Sequence, residues 1–461
     1  MPRRLAVLHH PNSFFPLELK SQVGACAELV WVVDSSVLAA EMLHLLRRFG
    51  PVVDTDGRSH DETARELAEL DVRGVVSFVD DHIVDAALLA EQLGLHYHSP
   101  DVARSLVNKQ LQRAALDLAG IPGPSFWSAP PGLGAREAAE FADRVTYPAV
   151  VKPAEGSGSR DMCLVRSGQE LRAILAGGRE PGFLIEEYLE DRPGQEPWYA
   201  SYLSVESVVS HGTVGHVAVT GRFPLAEPFR ETGNFIPALY PPDQLPGLFA
   251  LVDDTIAALG ITDSLTHTEV KLTSDGPRVI EVNGRLGGRP PFVLDSVSTT
   301  NLFHLACRVA FGEPVQVTGP APCDGVGFWL MLHAPMAARR IEAVTGSGAA
   351  AALTGVSDVQ VSRSPGDEVD WHEGTDGKVV TIRGVVADHR ELAATIARVR
   401  EAITITTDVD RTDPGDLEGR TDPLAGLTDR VVEVPMKTLT GLVGSVGPTA
   451  TRNVRDPSWT S

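Results

Sequence analysis

The sequence predicts an α/β N-terminal domain with a parallel sheet, followed by α+β domains and a smaller α+β domain towards the C-terminus. Over the first hundred residues, short apolar runs alternate with helix-like segments, a pattern typical of parallel α/β units. Between residues 183 and 283, extended segments joined by turn residues indicate antiparallel strands. A chain of 461 residues with 43% apolar content is long enough for several domains, each with its own core.

Composition narrows the class of protein. The formal net charge of −21 argues against a general binder of nucleic acid or anionic membranes. The four cysteines are scattered without a Cys-x-x-Cys pair, so they indicate neither a zinc site nor a disulfide framework. The N-terminus leads directly into a strand-like segment, and no apolar run reaches membrane-spanning length. We therefore expect a soluble, cytoplasmic protein with no nucleic-acid or membrane partner.

The N-terminal domain is expected over residues 1–100. Apolar runs at 5–9, 29–33 and 74–79 predict strands, and each is followed by a stretch that could be helical. The clearest helix signal covers residues 83–93. No Gly-x-Gly-x-x-Gly turn follows the first strand, so a dinucleotide site is not expected in this domain.

The next unit contains two lysines and a glycine-rich loop. Helical periodicity covers residues 102–118, with Lys109 on that helix, and it stops at a Gly/Pro cluster. A buried-looking strand at 147–153 contains Lys152 near its end and leads into the Gly/Ser loop, residues 154–161. Backbone N–H groups and hydroxyls of such a loop can bind phosphate oxygens, although an ordinary hairpin loop is the alternative. It is not a Walker loop, because Gly-x-x-x-x-Gly-Lys-Ser/Thr is absent.

A hairpin with acidic side chains gives the strongest chemical signal. After a strand at 183–189 and a strand pair at 202–209 and 215–220, alternating segments flank turn residues 274–277. Side chains at every second position share a strand face, so Glu281, Asn283 and Arg285 project together, and strand pairing can bring Glu269 alongside. Two carboxylates and an amide oxygen suit Mg²⁺. The alternative is a solvated hairpin with a charged outer face.

Beyond this hairpin, a helix at 302–311 is followed by strand signals at 326–331, 359–361 and 378–385 and a helix at 391–403. We expect a C-terminal α+β cap domain over residues 313–410. The polar, weakly patterned tail at 411–461 is expected to be partly disordered or family-specific.

The order of these motifs resembles the ATP-grasp superfamily: a helix lysine, a strand lysine with a Gly/Ser loop, a Glu-Glu-Tyr-Leu strand end, and a Glu…Glu-x-Asn-x-Arg hairpin. The likeness is to its carboxylate–amine ligases, the L-amino-acid ligase and biotin-carboxylase-like branch, and it covers roughly residues 100–310. It implies an ATP-grasp domain at 101–312 with subdomains 101–182 and 183–312, preceded by a pre-ATP-grasp domain at 1–100.

The resemblance also implies roles for individual residues, with ATP between the two subdomains. Lys109 and Lys152 would contact phosphates. The loop over the triphosphate would comprise Gly156, Ser157, Gly158 and Ser159. The segment that meets adenine would comprise Glu186, Glu187 and Leu189.

At the reacting end, Glu269 and Glu281 resemble metal-bridging carboxylates, with Asn283 as the third ligand. Arg285 resembles the residue that steadies an acyl phosphate, and with Lys152 it is the implied catalytic group. The implied cofactors are ATP and Mg²⁺ (or Mn²⁺).

Two roles stay open. Many relatives carry an acidic residue against the ribose where this chain has Tyr202, so that contact could fall to Glu196 or to Tyr202 itself. His267 is a candidate base for the attacking amine, although a packed histidine is the more common reading.

Substrate contacts are expected from two parts of the chain, of which the first comprises residues 221–224 and 228–235 and the second residues 283–290. Arg230 could pair with a substrate carboxylate and Glu231 with an amino group, while neighbouring aromatic residues would wall an apolar pocket. Gly287, Gly288 and Arg289 could also face the substrate carboxylate. A charged surface loop is the alternative for the first segment.

The predicted function is an ATP-dependent carboxylate–amine ligase that forms a dipeptide-like amide bond through an acyl phosphate and releases ADP and phosphate. Amino acids or short peptides are the expected substrates, and family likeness makes a homodimer plausible. The alternatives are carboxylation of the biotin-carboxylase type and a non-catalytic module that binds or senses ATP.

Overall fold

The structure is a computed structural model that describes residues 2–411 except 179, 194–195, 241–244 and 246. It confirms the fold class: a parallel N-terminal sheet precedes antiparallel sheets of α+β character. The tail expected at 411–461 lies, beyond its first residue, outside the described residues. In the part of the chain that the structure describes, no helix has both the length and the apolar character needed to cross a membrane.

The strands are β1 (Arg4–Leu8), β2 (Glu28–Val33), β3 (Val52–Asp54), β4 (Val72–Ser77), β5 (Phe126–Ala129), β6 (Ala149–Pro153), β7 (Cys163–Val165), β8 (Phe183–Glu187), β9 (Tyr202–Ser210), β10 (Thr213–Arg222), β11 (Gly233–Ile236), β12 (Ser264–Thr273), β13 (Gly276–Asn283), β14 (Val326–His333), β15 (Ile341–Thr345), β16 (Val356–Val361), β17 (Lys378–Val386) and β18 (Thr404–Thr407).

The α-helices are α1 (Pro16–Val23), α2 (Ala40–Phe49), α3 (His60–Glu69), α4 (Ile83–Leu93), α5 (Pro100–Val107), α6 (Lys109–Leu118), α7 (Ala135–Ala142), α8 (Gly168–Ala176), α9 (Leu248–Ala258), α10 (Pro290–Asp295), α11 (Leu302–Ala310), α12 (Ser347–Ala351) and α13 (His389–Ala402). Short 3₁₀ helices at Asp80–His82 and Trp371–Gly377 contribute to the site described below.

The N-terminal sheet has the order β3-β2-β1-β4, with all neighbours parallel. Its strands are almost entirely buried because helices cover the sheet, as is usual for parallel sheets. The three expected strands are present, and the short β3 was not predicted. The chain leaves the carboxyl ends of β1 and β4 towards the cavity described below.

The prediction of one helix at 102–118 is wrong in one respect, because the segment forms two helices, α5 and α6. Asn108 separates α5 from α6 with extended backbone angles (φ −108°, ψ 109°), and its side chain accepts hydrogen bonds from the N–H groups of Gln110 and Leu111. Asparagine is a favoured N-cap, since its oxygen satisfies N–H groups that the first turn leaves unpaired. The break makes Lys109 the first residue of α6.

An antiparallel sheet of order β5-β8-β6-β7 follows, covered by α7 and α8. The large sheet has the order β13-β12-β9-β10-β11-β14-β17-β16, and its neighbours are antiparallel. The strands β14, β17 and β16 therefore extend the sheet that carries the acidic hairpin. The region after residue 313 is α+β as expected, but three of its strands belong to this sheet, while β15 and β18 pair separately.

Candidate active site

A cavity of about 440 Å³ lies where these sheets meet. Its lining comes from the carboxyl ends of β1 and β4, from β6, β8 and the Gly/Ser loop, from the acidic hairpin, and from the 3₁₀ helix Trp371–Gly377. The predicted site residues that line it are Lys109, Lys152, Gly156, Ser157, Gly158, Ser159, Glu186, Glu187, Leu189, Glu231, His267, Glu269, Glu281, Asn283, Arg285, Gly288 and Arg289.

The acidic hairpin pairs as expected from its sequence. Glu269 lies opposite Glu281 in the β12–β13 register, and Asn283 lies opposite His267. Lys109 approaches the second carboxylate, with its Nζ 3.1 Å from Glu281 Oε1. Burial disfavours the charged form of Lys109, but the neighbouring Glu281 outweighs this effect and raises the lysine pKa.

Glu269 belongs to a buried network that also contains His267, Glu206 and Arg222. His267 Nδ1 lies 2.9 Å from Glu206, and its Nε2 lies 3.4 Å from Glu269. Burial alone would lower the pKa of His267, but Glu206 raises it to about 9. The Arg222 guanidinium, which can only donate, lies 2.8 Å from the Nε2 atom of the ring. Burial would raise the pKa of Glu269, but the His267 hydrogen bond and the charge of Arg222 lower it to about 2.

Arg285 is held by a residue of the N-terminal unit. Its guanidinium forms an ion pair with Asp80, in which Nε lies 3.0 Å from Oδ1, and it donates to Asn283 Oδ1 at 3.2 Å. Burial disfavours the charge of Arg285, but Asp80 outweighs that effect and raises its pKa. The pairing fixes the arginine beside the acidic hairpin.

The two residues expected to meet phosphate and adenine are paired with each other. Lys152 Nζ lies 2.5 Å from Glu186 Oε2, and Arg113 Nε lies 2.8 Å from Glu186 Oε1. Glu186 is only 2% exposed. Burial would raise the pKa of Glu186, but Lys152 and Arg113 lower it. The carboxylate thus positions the lysine, and the contact of the segment Glu186, Glu187 and Leu189 with adenine stays a prediction.

The Gly/Ser loop is docked against the C-terminal region. Gly158 O accepts a hydrogen bond of 2.8 Å from the N–H of Thr375, and Arg160 pairs with Asp376 at 2.7 Å. Lys109 Nζ also donates to Gly156 O at 2.5 Å. The loop therefore covers the lysines and is in contact with the 3₁₀ helix Trp371–Gly377.

Three predicted residues do not line the cavity: Glu196, Arg230 and Gly287. Arg230 is 4% exposed, and its guanidinium donates to Glu227 O at 2.6 Å and to Ala334 O at 3.1 Å. Those carbonyls occupy the guanidinium, so the expected pairing with a substrate carboxylate is not what the structure shows. Gly287 packs against the His267 ring, where a Cβ atom would overlap the imidazole.

The two candidates for the ribose contact also differ in whether they line the cavity. Glu196 is exposed and away from the cavity, whereas Tyr202 lines it. Its hydroxyl is buried without a hydrogen-bond partner among the described residues, and burial raises its pKa well above the ordinary value. The Arg222 guanidinium lies over its ring, 5.5 Å from the centroid.

Of the charged residues expected to contact substrate, some line the cavity and others do not. Glu231 lines the cavity and accepts from Arg222 at 2.8 Å. Arg289 also lines the cavity, its guanidinium 5.0 Å from the Trp329 ring centroid, and burial lowers its pKa. Unlike Arg230, Arg289 faces the space in which a ligand could lie.

Residue-by-residue interpretation of the sequence missed Asp80, Arg113 and Glu206 as site residues, whereas Arg222 lies in the segment 221–224 that was expected to contact substrate. Asp80 could have been found, because ligands of parallel sheets bind beyond the carboxyl ends of the strands and Asp80 follows β4 closely. Glu206 and Arg222 lie on strands that are otherwise apolar and small, and buried charges there indicate a paired network. Arg113 on α6 carried no comparable signal.

Comparisons with known proteins agree with this geometry. The chain is 27% identical over 317 residues to the uncharacterized protein y4rH of Sinorhizobium fredii, which covers 67% of this chain and 63% of that protein. It is 29% identical over 262 residues to carnosine synthase 1 of Homo sapiens, covering 51% of this chain and 31% of the synthase. The chain thus spans less than two thirds of the length of these relatives.

The crystal structure of L-amino acid ligase from Bacillus licheniformis has a similar fold. The TM-score is 0.70 at 18% sequence identity, with 88% of this chain and 99% of that chain covered. A family model described as an ATP-grasp domain matches residues 107–289, which include both lysines, the Gly/Ser loop and the acidic hairpin. Residues 107–289 are therefore similar to an ATP-grasp domain, as the order of the motifs indicated.

Proposed function

We propose that this protein is an ATP-dependent carboxylate–amine ligase that joins an amino-acid or short-peptide carboxylate to an amine. One observation carries the proposal: the hairpin carboxylates, two lysines and Arg285 face one cavity covered by a glycine-rich loop. Binding of a nucleotide alone does not require an arginine fixed beside two metal-type carboxylates. The names of two similar proteins, L-amino acid ligase and carnosine synthase, support the same reaction class.

The donor set on the hairpin fits a hard divalent cation. Glu269 and Glu281 are directly opposed across the strands, an arrangement of like charges that costs stability unless a cation offsets it. With Asn283 they would hold Mg²⁺ or Mn²⁺ through oxygen ligands. When bound, the ion would neutralise charge on the phosphates during transfer. We propose ATP and Mg²⁺ as the ligands of this site.

In the proposed reaction, a carboxylate oxygen attacks the γ-phosphorus of ATP and ADP leaves, which gives an acyl phosphate. The amine nitrogen then attacks the acyl carbon and loses a proton, and inorganic phosphate leaves. Lys109 and Lys152 offset negative charge on the phosphates, and both are held in place by carboxylates. Arg285, fixed by Asp80, stabilises the negative charge that develops on the acyl oxygen when the amine attacks.

Two features of the chain control side reactions and protons. The docked Gly/Ser loop excludes water, which would otherwise hydrolyse the acyl phosphate. His267 is not free to act as the base for the amine, because its Nδ1 lies 2.9 Å from Glu206 and its Nε2 lies 2.8 Å from Arg222, which can only donate a hydrogen bond.

The experiment is to measure phosphate release from ATP and Mg²⁺ with amino acids, singly and in pairs, and to identify products by mass spectrometry. ADP, phosphate and a condensed product that appear only with particular pairs would support the ligase. Release of AMP would contradict the acyl-phosphate route. Turnover that requires bicarbonate would favour carboxylation, and ATP binding without turnover for any pair would favour sensing. Glu281→Ala serves as the inactive control.

A further inference from the structure

A second cluster of possible ligands lies outside the cavity and is not used by the proposed reaction. His96 follows α4, His211 lies in the β9–β10 turn, and Asp263 precedes β12. One ligand atom from each residue lies within 4.8 Å of the others. Three separate segments thus bring two imidazoles and a carboxylate together at the surface.

Hydrogen bonds orient two of these groups. His211 Nε2 lies 3.2 Å from Gly312 O, and because a carbonyl can only accept, Nε2 carries the proton. In the neutral ring, Nδ1 then presents a lone pair towards Asp263. The Asp263 Oδ1 atom is itself fixed by the backbone N–H of His211 at 2.9 Å. Such outer contacts, which set the tautomer of a histidine and orient its carboxylate partner, are typical of metal sites.

The separations fit a bound ion better than direct pairing. His96 Nδ1 and His211 Nδ1 lie 3.8 Å and 3.9 Å from Asp263 Oδ1, which is too long for hydrogen bonds. Tetrahedral Zn²⁺ with ligands near 2.1 Å needs its donor atoms about 3.4 Å apart, so small side-chain movements would complete the site. The imidazoles are 44% and 47% exposed and can make such movements.

We propose that His96, His211 and Asp263 form a Zn²⁺ site that is distinct from the acidic hairpin. Two imidazole nitrogens and one carboxylate oxygen form a donor set that zinc prefers, whereas the hairpin offers oxygen atoms alone. Three protein ligands leave a fourth position for water. The cysteines, which carried no zinc signal in the sequence, take no part.

The position of this site gives it a structural role. His98, two residues after His96, lies with its Nε2 2.7 Å from Gly284 O, and Ser264, next to Asp263, donates to the same carbonyl at 3.1 Å. Gly284 precedes Arg285. Zinc would therefore link the segment after α4 to the central sheet beside the turn that carries Arg285, and we expect it to stabilise the folded chain.

The test uses the full chain, treated with a chelator and then kept in millimolar Mg²⁺ so that the hairpin is saturated. Titration with Zn²⁺, followed by calorimetry and thermal unfolding, should show one zinc per chain and a rise in Tm of several degrees. His96→Ala and Asp263→Asn should each weaken zinc affinity at least tenfold. Asparagine at position 263 keeps an oxygen for the His211 N–H, so its folding should be retained.

Two further variants complete the design. His211→Asn removes the imidazole at a residue with φ of 50°, a conformation that asparagine tolerates, and should also lose zinc. His44→Ala, an exposed histidine on α2, is the matched control and should bind zinc like wild type. Absence of zinc binding at tens of micromolar, or unchanged affinity and stoichiometry in all three cluster variants, would overturn the proposal. Neither result depends on whether the chain is a ligase.

Discussion

The acidic hairpin and the Gly/Ser loop face the same cavity but are held in different ways. The hairpin is fixed by pairing along β12 and β13 and by β9 on its other side. The Gly/Ser loop is placed by contacts with the 3₁₀ helix Trp371–Gly377, far away in sequence. The hairpin therefore depends on local pattern and the loop on tertiary contacts, so changes at the two regions should differ in kind.

The largest effect is expected at the hairpin. Glu281→Ala removes a proposed metal ligand and the partner of Lys109, and should reduce kcat by about a thousandfold or more. Circular dichroism should show an unchanged fold, since strand pairing does not need this side chain. Asp275→Ala, in the exposed turn of the same hairpin, is the control and should keep activity. Wild-type rates in Glu281→Ala would rule out the metal assignment.

The second-largest effect is expected at the buried ion pair between Lys152 and Glu186. Lys152→Met should lower kcat by about a hundredfold. It should also destabilise the fold by up to about 3 kcal/mol, because Glu186 keeps Arg113 but loses one partner. Combining it with Glu186→Gln should recover part of the stability and none of the activity, as measured by urea unfolding and phosphate release. Recovery of activity would show that Lys152 acts only through packing.

A smaller effect is expected at the Gly/Ser loop. Arg160→Ala removes the ion pair with Asp376, and should raise the ratio of ADP formed to amide formed severalfold because water enters. Asp376→Ala should do the same, and the double variant should add little beyond either single change. Arg166→Ala, an exposed arginine nearby, is the control. Full additivity of the two changes would contradict docking through this pair.

The smallest expected effect is a change in pH dependence. The pKa of His267 is raised from 6.5 to about 9 by folding, so its stabilising contribution is complete below pH 6.5 and is lost as pH rises through 9. The free energy of unfolding of the wild type should therefore fall more between pH 7 and 9.5 than that of His267→Gln. Unfolding in urea at several pH values measures this. Parallel curves for the two proteins would contradict the raised pKa of His267.

The sequence predicts that Glu281 and Asn283 face the same cavity, because strand alternation alone puts both side chains on one face of β13. It does not predict the Arg285–Asp80 pair, since the two residues are 205 positions apart and meet only when the sheets assemble. Arg230 illustrates the opposite error. A charged residue in a loop beside aromatics resembles a substrate contact, but two backbone carbonyls of this chain bind its guanidinium.

The helix break at Asn108 shows a further limit. Helical periodicity runs through residues 102–118 without interruption, and one extended residue with an N-cap side chain decides where α6 begins. The same Asn108 donates to Glu155 at 3.1 Å, so the break is coupled to the Gly/Ser loop. A propensity argument that considers one segment at a time cannot include that partner.

The shared eight-stranded sheet has a consequence for any attempt to isolate the nucleotide-binding part. The matched region ends at residue 289, whereas β14, β17 and β16 continue the same sheet from β11. A fragment of residues 107–289 would expose the β11 edge and the apolar side chains that pack against the missing strands. It would also lose the partners of the Gly/Ser loop. We therefore expect that fragment to aggregate, so the smallest independently folding form of this active site includes the strands up to β17.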